Sequence, residues 1–295
     1  MVKLSHPFAS RCKLPPPRWS LNQNPFAEYL SEHLKDQHMK NVRLILAMAS
    51  SVLVSTTAPA QFASSVISYE RGTGFAANFT NSSAALGAPT PGIGVTPYAP
   101  PFSTSQLVSI GSGGWLTLQL NTPILNDASH PFGIDFLLFG NSFFVTTNGT
   151  GASARTSGAI FTSSVSTRVE VSADGSSWFT LDPSLAPTVG TLFPTDGTGN
   201  PLTPVNPALT SSDFAGLNLA GIRSLYNGSA GGAGFDLGWA RDSDGNFVDL
   251  ESASYVRINV LSGRTQIDAV SAVPEPATGA LLLVGLGFLC VMRMK

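Results

Sequence analysis

Between Arg241 and Glu251 the chain reads RDSDGNFVDLE, which sets Asp242, Asp244, Asn246 and Asp249 around Gly245. Calcium takes about six to eight oxygen ligands, and Asp and Asn side chains gathered by a tight turn supply several of them. The spacing is not that of an EF-hand. Counted from Asp242, the glycine stands fourth instead of sixth, and no glutamate closes the loop at the twelfth position. The same residues also suit a plain polar hairpin turn. Asp242, Asp244, Asn246 and Asp249 therefore stand as candidate calcium ligands with that alternative open. Just upstream, Trp239 and Arg241 put an aromatic face and a cation beside a long loop. A sugar ring uses such a pair for stacking and hydrogen bonding. Trp115 and Trp178 fall in apolar strand patterns and read as core.

Bond-making chemistry has fewer candidates. His130, in NDASHPFGIDF, is the one histidine between Gln61 and Ala272. A Ser-His-Asp triad needs a nucleophile elbow, and no G-x-S-x-G is present. His130 reads as a surface residue of a turn. Glycoside hydrolysis needs two facing carboxylates, and Asp135, Glu170 and Glu251 are available, but nothing in their spacing brings two together. The expectation is a protein that is not an enzyme, with a carbohydrate-active hydrolase as the alternative.

These residues need a scaffold, and the composition describes one. Charged residues make up 12% of the chain, about half the usual share, while 29 Gly and 21 Pro provide turns. Between Gln61 and Ala272 there is no lysine, and seven arginines face about twice as many Asp and Glu. Nucleic-acid binding needs clustered Lys and Arg, so that class is excluded. Cys12 and Cys290 both lie outside this segment, which leaves it without a disulfide framework or a cysteine metal site.

The segment 61–272 reads as short strands separated by Gly, Pro, Asn and Asp turns. SQLVSIGSGGWLTLQL gives two strands around a glycine turn, and GIDFLLFGNSFF a strand buried on both faces. STRVEVSADGSSWFTL gives a hairpin turning at Asp174-Gly175, and SYVRINV a strand with Val256, Ile258 and Val260 inward. No amphipathic helix is expected, and residues 191–240 read as one long connection. The fold class is all-β, a β-sandwich.

Both flanks look like processing signals. From Met39, Lys40 and Arg43 precede the apolar run Leu44 to Val54, and Ala58-Pro59-Ala60 places small residues for cleavage after Ala60. That is the order of a secretory signal peptide at 39–60, implying the Sec translocon and signal peptidase as partners. Residues 1–38 read as a leader outside the working protein, through a start codon assigned upstream of Met39 or through disorder. At the other end, Val273-Pro274-Glu275-Pro276 is followed by an apolar run, 277–292, and a basic tail, 293–295. At about 1.5 Å per residue the run is shorter than the roughly 30 Å hydrocarbon core. It suits transient membrane contact through a short C-terminal helix, with Arg293 and Lys295 held inside.

In this order the ending resembles the PEP-CTERM sorting signal of Gram-negative bacteria that make exopolysaccharide. The resemblance implies exosortase as the processing partner and Val273, Pro274, Glu275 and Pro276 as the sorting motif. It also implies a place on the cell surface, the outer-membrane exterior or the extracellular matrix. VEVSADGSSWFTL is similar to a hairpin of discoidin-like, galactose-binding-like jelly rolls. Together with GSGGWLTLQL, DFLLFGNSF, FAGL and FDLGWARDSDGNFVDL it resembles secreted bacterial surface proteins that carry such tails. The resemblance implies a matrix-associated protein that binds extracellular polysaccharide, or a structural coat component without a small ligand.

Overall fold

The computed structural model describes residues 33–35, 37, 61–90, 94–149, 151–161, 164–190 and 193–275. The signal segment 39–60, with Ala58 and Ala60, lies outside them, as do Pro276 and the tail after it. The chain divides into two compact units, Met1–Thr56 with Arg293–Lys295, and Thr57–Met292. The first is described only as an exposed helical fragment at 33–35 and 37. Among the described residues, the second carries all the β-structure.

Its strands run in chain order as β1 (Ala63–Glu70), β2 (Val108–Gly111), β3 (Trp115–Leu125), β4 (Phe136–Gly140), β5 (Phe143–Asn148), β6 (Arg155–Phe161), β7 (Ser166–Ser172) and β8 (Phe179–Leu181). After α1 (Ser211–Phe214) and α2 (Leu219–Tyr226) come β9 (Ala233–Phe235), β10 (Ala240–Arg241), β11 (Ser252–Ser262) and β12 (Arg264–Ala272). One sheet has the order β1-β3-β11-β7-β8-β10, a second β2-β12-β4-β9, and β5 pairs with β6. Every pairing within them is antiparallel.

Period-two alternation aims the apolar residues. Leu116, Leu118 and Leu120 on β3 and Val256, Ile258 and Val260 on β11 are buried. They share one core with Val108 and Ile110 on β2, Phe136 and Leu138 on β4 and Ile267 and Val270 on β12. Two antiparallel sheets that bury residues in a common core are compatible with a β-sandwich. β4 is buried along its whole length because its other face is covered too. Leu137 and Phe139 pack with Ile134, Ala230, Ala269 and Val273. The hairpin β7–β8 forms where its sequence pattern puts it, with Asp174 accepting the N–H groups of Ser176 and Ser177 at 2.7 Å each.

Two expectations are corrected. The connection 191–240 is not featureless: it contains α1 and α2. Asn218 caps α2 by accepting the Gly221 N–H at 3.0 Å, and Asn227 ends it in the left-handed region at φ 49°. Leu219, Ile222 and Tyr226 form the buried stripe of α2. Ile222 and Tyr226 build a separate apolar cluster with Phe144, Val205 and Phe214. Gly158 lets β6 approach α1: a Cβ there would lie 1.9 Å from the Ser211 carbonyl oxygen. Trp115, for its part, is not core. It is 38% exposed, and its indole N–H donates to Ser68 Oγ at 3.1 Å on the outer face of the larger sheet.

Asp268 is a buried acid on β12, 2% exposed, that accepts the backbone N–H and the hydroxyl of Thr90 at 3.0 and 2.8 Å. Burial pushes its carboxyl up to about 6, against the opposing pull of the Thr90 donors. An acid raised in the folded state stabilises most where it is protonated in both states. That contribution is lost as pH rises from about 4 through about 6, and amounts to about 3 kcal/mol. Relative to Asp268→Asn, the native chain should therefore lose about this much stability between pH 4 and pH 7.5 in urea titrations. Parallel pH profiles for the two proteins would contradict the assignment.

Candidate functional site

A densely hydrogen-bonded polar cluster lies where β12 ends. The Ala272 N–H donates to the Gln61 carbonyl at 2.7 Å, and the Val273 N–H to the Asp135 carbonyl at 2.8 Å. Val273 is 5% exposed and belongs to the apolar cluster behind β4. The sorting motif predicted from sequence therefore begins inside the folded unit. Pro274 is half-buried, and Glu275 emerges with its carboxylate over the turn that precedes β4.

That turn holds His130, which is corrected from a surface residue to a buried one, 2% exposed. A 3-10 turn at Pro131–Gly133 comes next, and Phe132 within that turn adopts φ 62°. A phenylalanine in this region stores backbone strain, and here its side chain stays exposed. The His130 Nδ1 lies 2.8 Å from Asp135 Oδ1. Asp135 also accepts the Leu237 N–H at 2.8 Å and the Asp127 N–H at 3.2 Å. An acceptor so used takes its third hydrogen bond from Nδ1–H, which leaves the Nε2 lone pair facing outward. Nε2 makes no hydrogen bond, and Glu275 Oε1 stands 3.5 Å from it.

Electrostatics sort the acids around the ring. Burial raises the Asp135 carboxyl, against the donors that hold it down. Glu275, when protonated, donates a hydrogen bond to the Asp127 carboxylate. The Ser129 backbone N–H first, then this bond and the Ser129 hydroxyl, hold Asp127 down to about 2. The bond with Asp127 is the main cause that raises Glu275. Asp127, His130 and Glu275 thus converge, one beneath the turn and two at the surface, as residues able to hold a metal ion.

The other predicted residues sit elsewhere. Asp242 accepts the N–H groups of Asp244 and Asn246 at 2.9 and 2.8 Å and the Asn246 amide at 3.1 Å, so its carboxylate closes its own turn. Asp244 and Asp249 are exposed and do not join it in a compact group of ligand atoms. Trp239 is half-buried against both main apolar clusters. Arg241 pairs with Asp182 at 3.3 Å and lies 5.5 Å over the Phe247 ring. Glu170 is bound to Arg168 and Arg257 on the larger sheet, apart from Asp135 in its own cluster.

Sequence reasoning missed a cleft of about 180 Å³. Phe102, Phe143 and Phe161 line it together with Asn141, Arg264 and Gln266. Phe143 and Phe161 stack at 4.8 Å, and Phe102 and Phe161 are among the most exposed aromatics, at 74% and 58%. The Asn141 amide donates to Gln266 Oε1. The lining comes from separate stretches of chain, so no local pattern announces it.

Among the described residues no helix is long and apolar enough to cross a membrane, and the apolar run 277–292 lies outside them. No curated protein matches the chain. Residues 272–295 match the PEP-CTERM protein-sorting motif, and that match supports an exported, surface-associated protein that is a substrate of exosortase.

Proposed function

We propose that this chain is a non-enzymatic surface protein of the extracellular matrix, exported through a cleaved signal peptide at 39–60 and sorted by exosortase. Its β-domain, of the galactose-binding-like class, binds extracellular polysaccharide in the cleft between Phe102, Phe161 and Gln266. The observation that carries this reading is the lining. Exposed aromatic faces give a pyranose ring its apolar contact, while Asn141, Gln266 and Arg264 provide hydrogen bonds to hydroxyls. The sorting motif supports a surface-associated protein.

A glycan array tests it. The purified protein should bind a subset of bacterial polysaccharides, and Phe161→Ala or Gln266→Ala should weaken that binding about tenfold or more, as expected for removal of roughly 1.5 kcal/mol of binding energy. Both side chains are surface-accessible or line the cleft, so the variants should keep the native melting temperature. A blank array, together with self-assembly of the protein, would replace this reading with that of a structural coat.

A further inference from the structure

We propose that Asp127, His130 and Glu275 form a binding site for one divalent metal ion of the zinc class, which fastens the glutamate of the sorting motif to the β-domain. One ligand atom from each of the three side chains lies within 4.8 Å of the others. The separation of His130 Nε2 from Glu275 Oε1, 3.5 Å, is too long for a good hydrogen bond. It is close to the distance of about 3.4 Å between neighbouring ligands of a tetrahedral ion bound at about 2.0–2.1 Å.

The second observation is independent of the acids. His130 is a buried side chain with an unpartnered nitrogen aimed at this point. A buried polar atom left without a partner is costly, and a metal ion would satisfy it. Its other nitrogen is held by the buried Asp135 at 2.8 Å, the outer carboxylate that metal-bound histidines use to fix their orientation. Asp135 is itself anchored by two backbone N–H groups, so the ring is set before any ion arrives.

Chemistry selects the ion. One imidazole nitrogen and two carboxylate oxygens suit zinc and its neighbours, whereas calcium and magnesium prefer oxygen alone. The two carboxylates supply the charge that balances a divalent cation. Glu275, 48% exposed at its side chain, leaves a solvent-facing position for a fourth ligand. The inference rests on side-chain geometry and not on recognition by exosortase, so either can fail without the other.

The test is zinc uptake by the full chain, read by competition with a chromophoric chelator and by melting temperature. One zinc per chain should bind and raise the melting temperature. Asp127→Asn and Glu275→Gln, both outside the apolar core, should each weaken uptake at least about tenfold and abolish the thermal shift. Cobalt should give the visible absorption of a tetrahedral nitrogen–oxygen site in the native chain and lose it in both variants. No uptake, or uptake that both variants leave unchanged, overturns the assignment. The second outcome would place the metal on other histidines or cysteines of the chain.

Discussion

Alanine at Pro274, Glu275 and Pro276 together should leave the β-domain folded and stop its release from the membrane fraction. The reason lies in how the last strand ends. Val273 is held by its buried side chain and by the hydrogen bond to the Asp135 carbonyl, so the domain keeps its final anchor when the next three residues change. Within the described residues, the triple alanine variant gives up the interactions of Glu275 with Asp127 and His130, at an exposed position. The sorting motif, in contrast, loses three of its four residues, Pro274, Glu275 and Pro276. Prolines on either side of a glutamate disfavour helix, and alanine restores that option. Immunoblots of membrane and medium fractions, with thermal melts of the purified variant, give the two readouts. Release at the native level would mean that the motif does not direct sorting in this chain. The contrasting substitution Val273→Asp should destabilise the fold itself, because it places a charge among Ile134, Leu137 and Phe139.

The second large effect is expected at Phe214. Its side chain is fully buried on α1 and meets the rings of Phe144 at 4.8 Å, Phe193 at 5.7 Å and Tyr226 at 6.0 Å. Phe214→Ala removes the centre of this cluster and should cost about 3–5 kcal/mol. The neighbourhood cannot easily collapse into the space. Tyr226 is fixed by its hydroxyl, which donates to the Pro194 carbonyl at 2.8 Å, and α2 is tied down by the Arg223 pair with Asp196 at 2.6 Å. The cluster is separate from the core between the sheets, so the loss should appear first as local opening. Hydrogen exchange should quicken in α1, α2 and the β5–β6 pair while β3 and β11 stay protected. A cost below about 1 kcal/mol would show that these rings are not the support of the 193–230 region.

The contrast between what is legible in the sequence and what is not comes from range. Alternation at Val256, Ile258 and Val260, and the Asp174-Gly175 turn, are local patterns of period two or of four residues, and they appear where expected. α2 is masked by its length of eight residues and by the Gly and Pro around it. Its signal is present, in Asn218 as a cap ahead of Leu219, Ile222 and Tyr226 on one face. Trp115 misleads because an aromatic in an apolar strand looks buried, yet it occupies the outward side of the alternation. His130 is beyond local reasoning. Asp135 stands close by in sequence, but the burial of the pair depends on Leu237 and Val273, which only the assembled sheets deliver. The sorting motif itself is fully legible, since it is an ordered string at one end of the chain.

The strand order bears on export. β11 lies between β3 and β7, and β12 between β2 and β4. The larger sheet is thus missing an interior member until the chain reaches Ser262, and the smaller until it reaches Ala272. A polypeptide delivered from its N-terminal side cannot close either sheet before these strands arrive. The residues matched by the sorting motif, 272–295, start at the last residue of the strand that completes the fold. Closure of the fold and the start of the sorting motif therefore coincide along the chain.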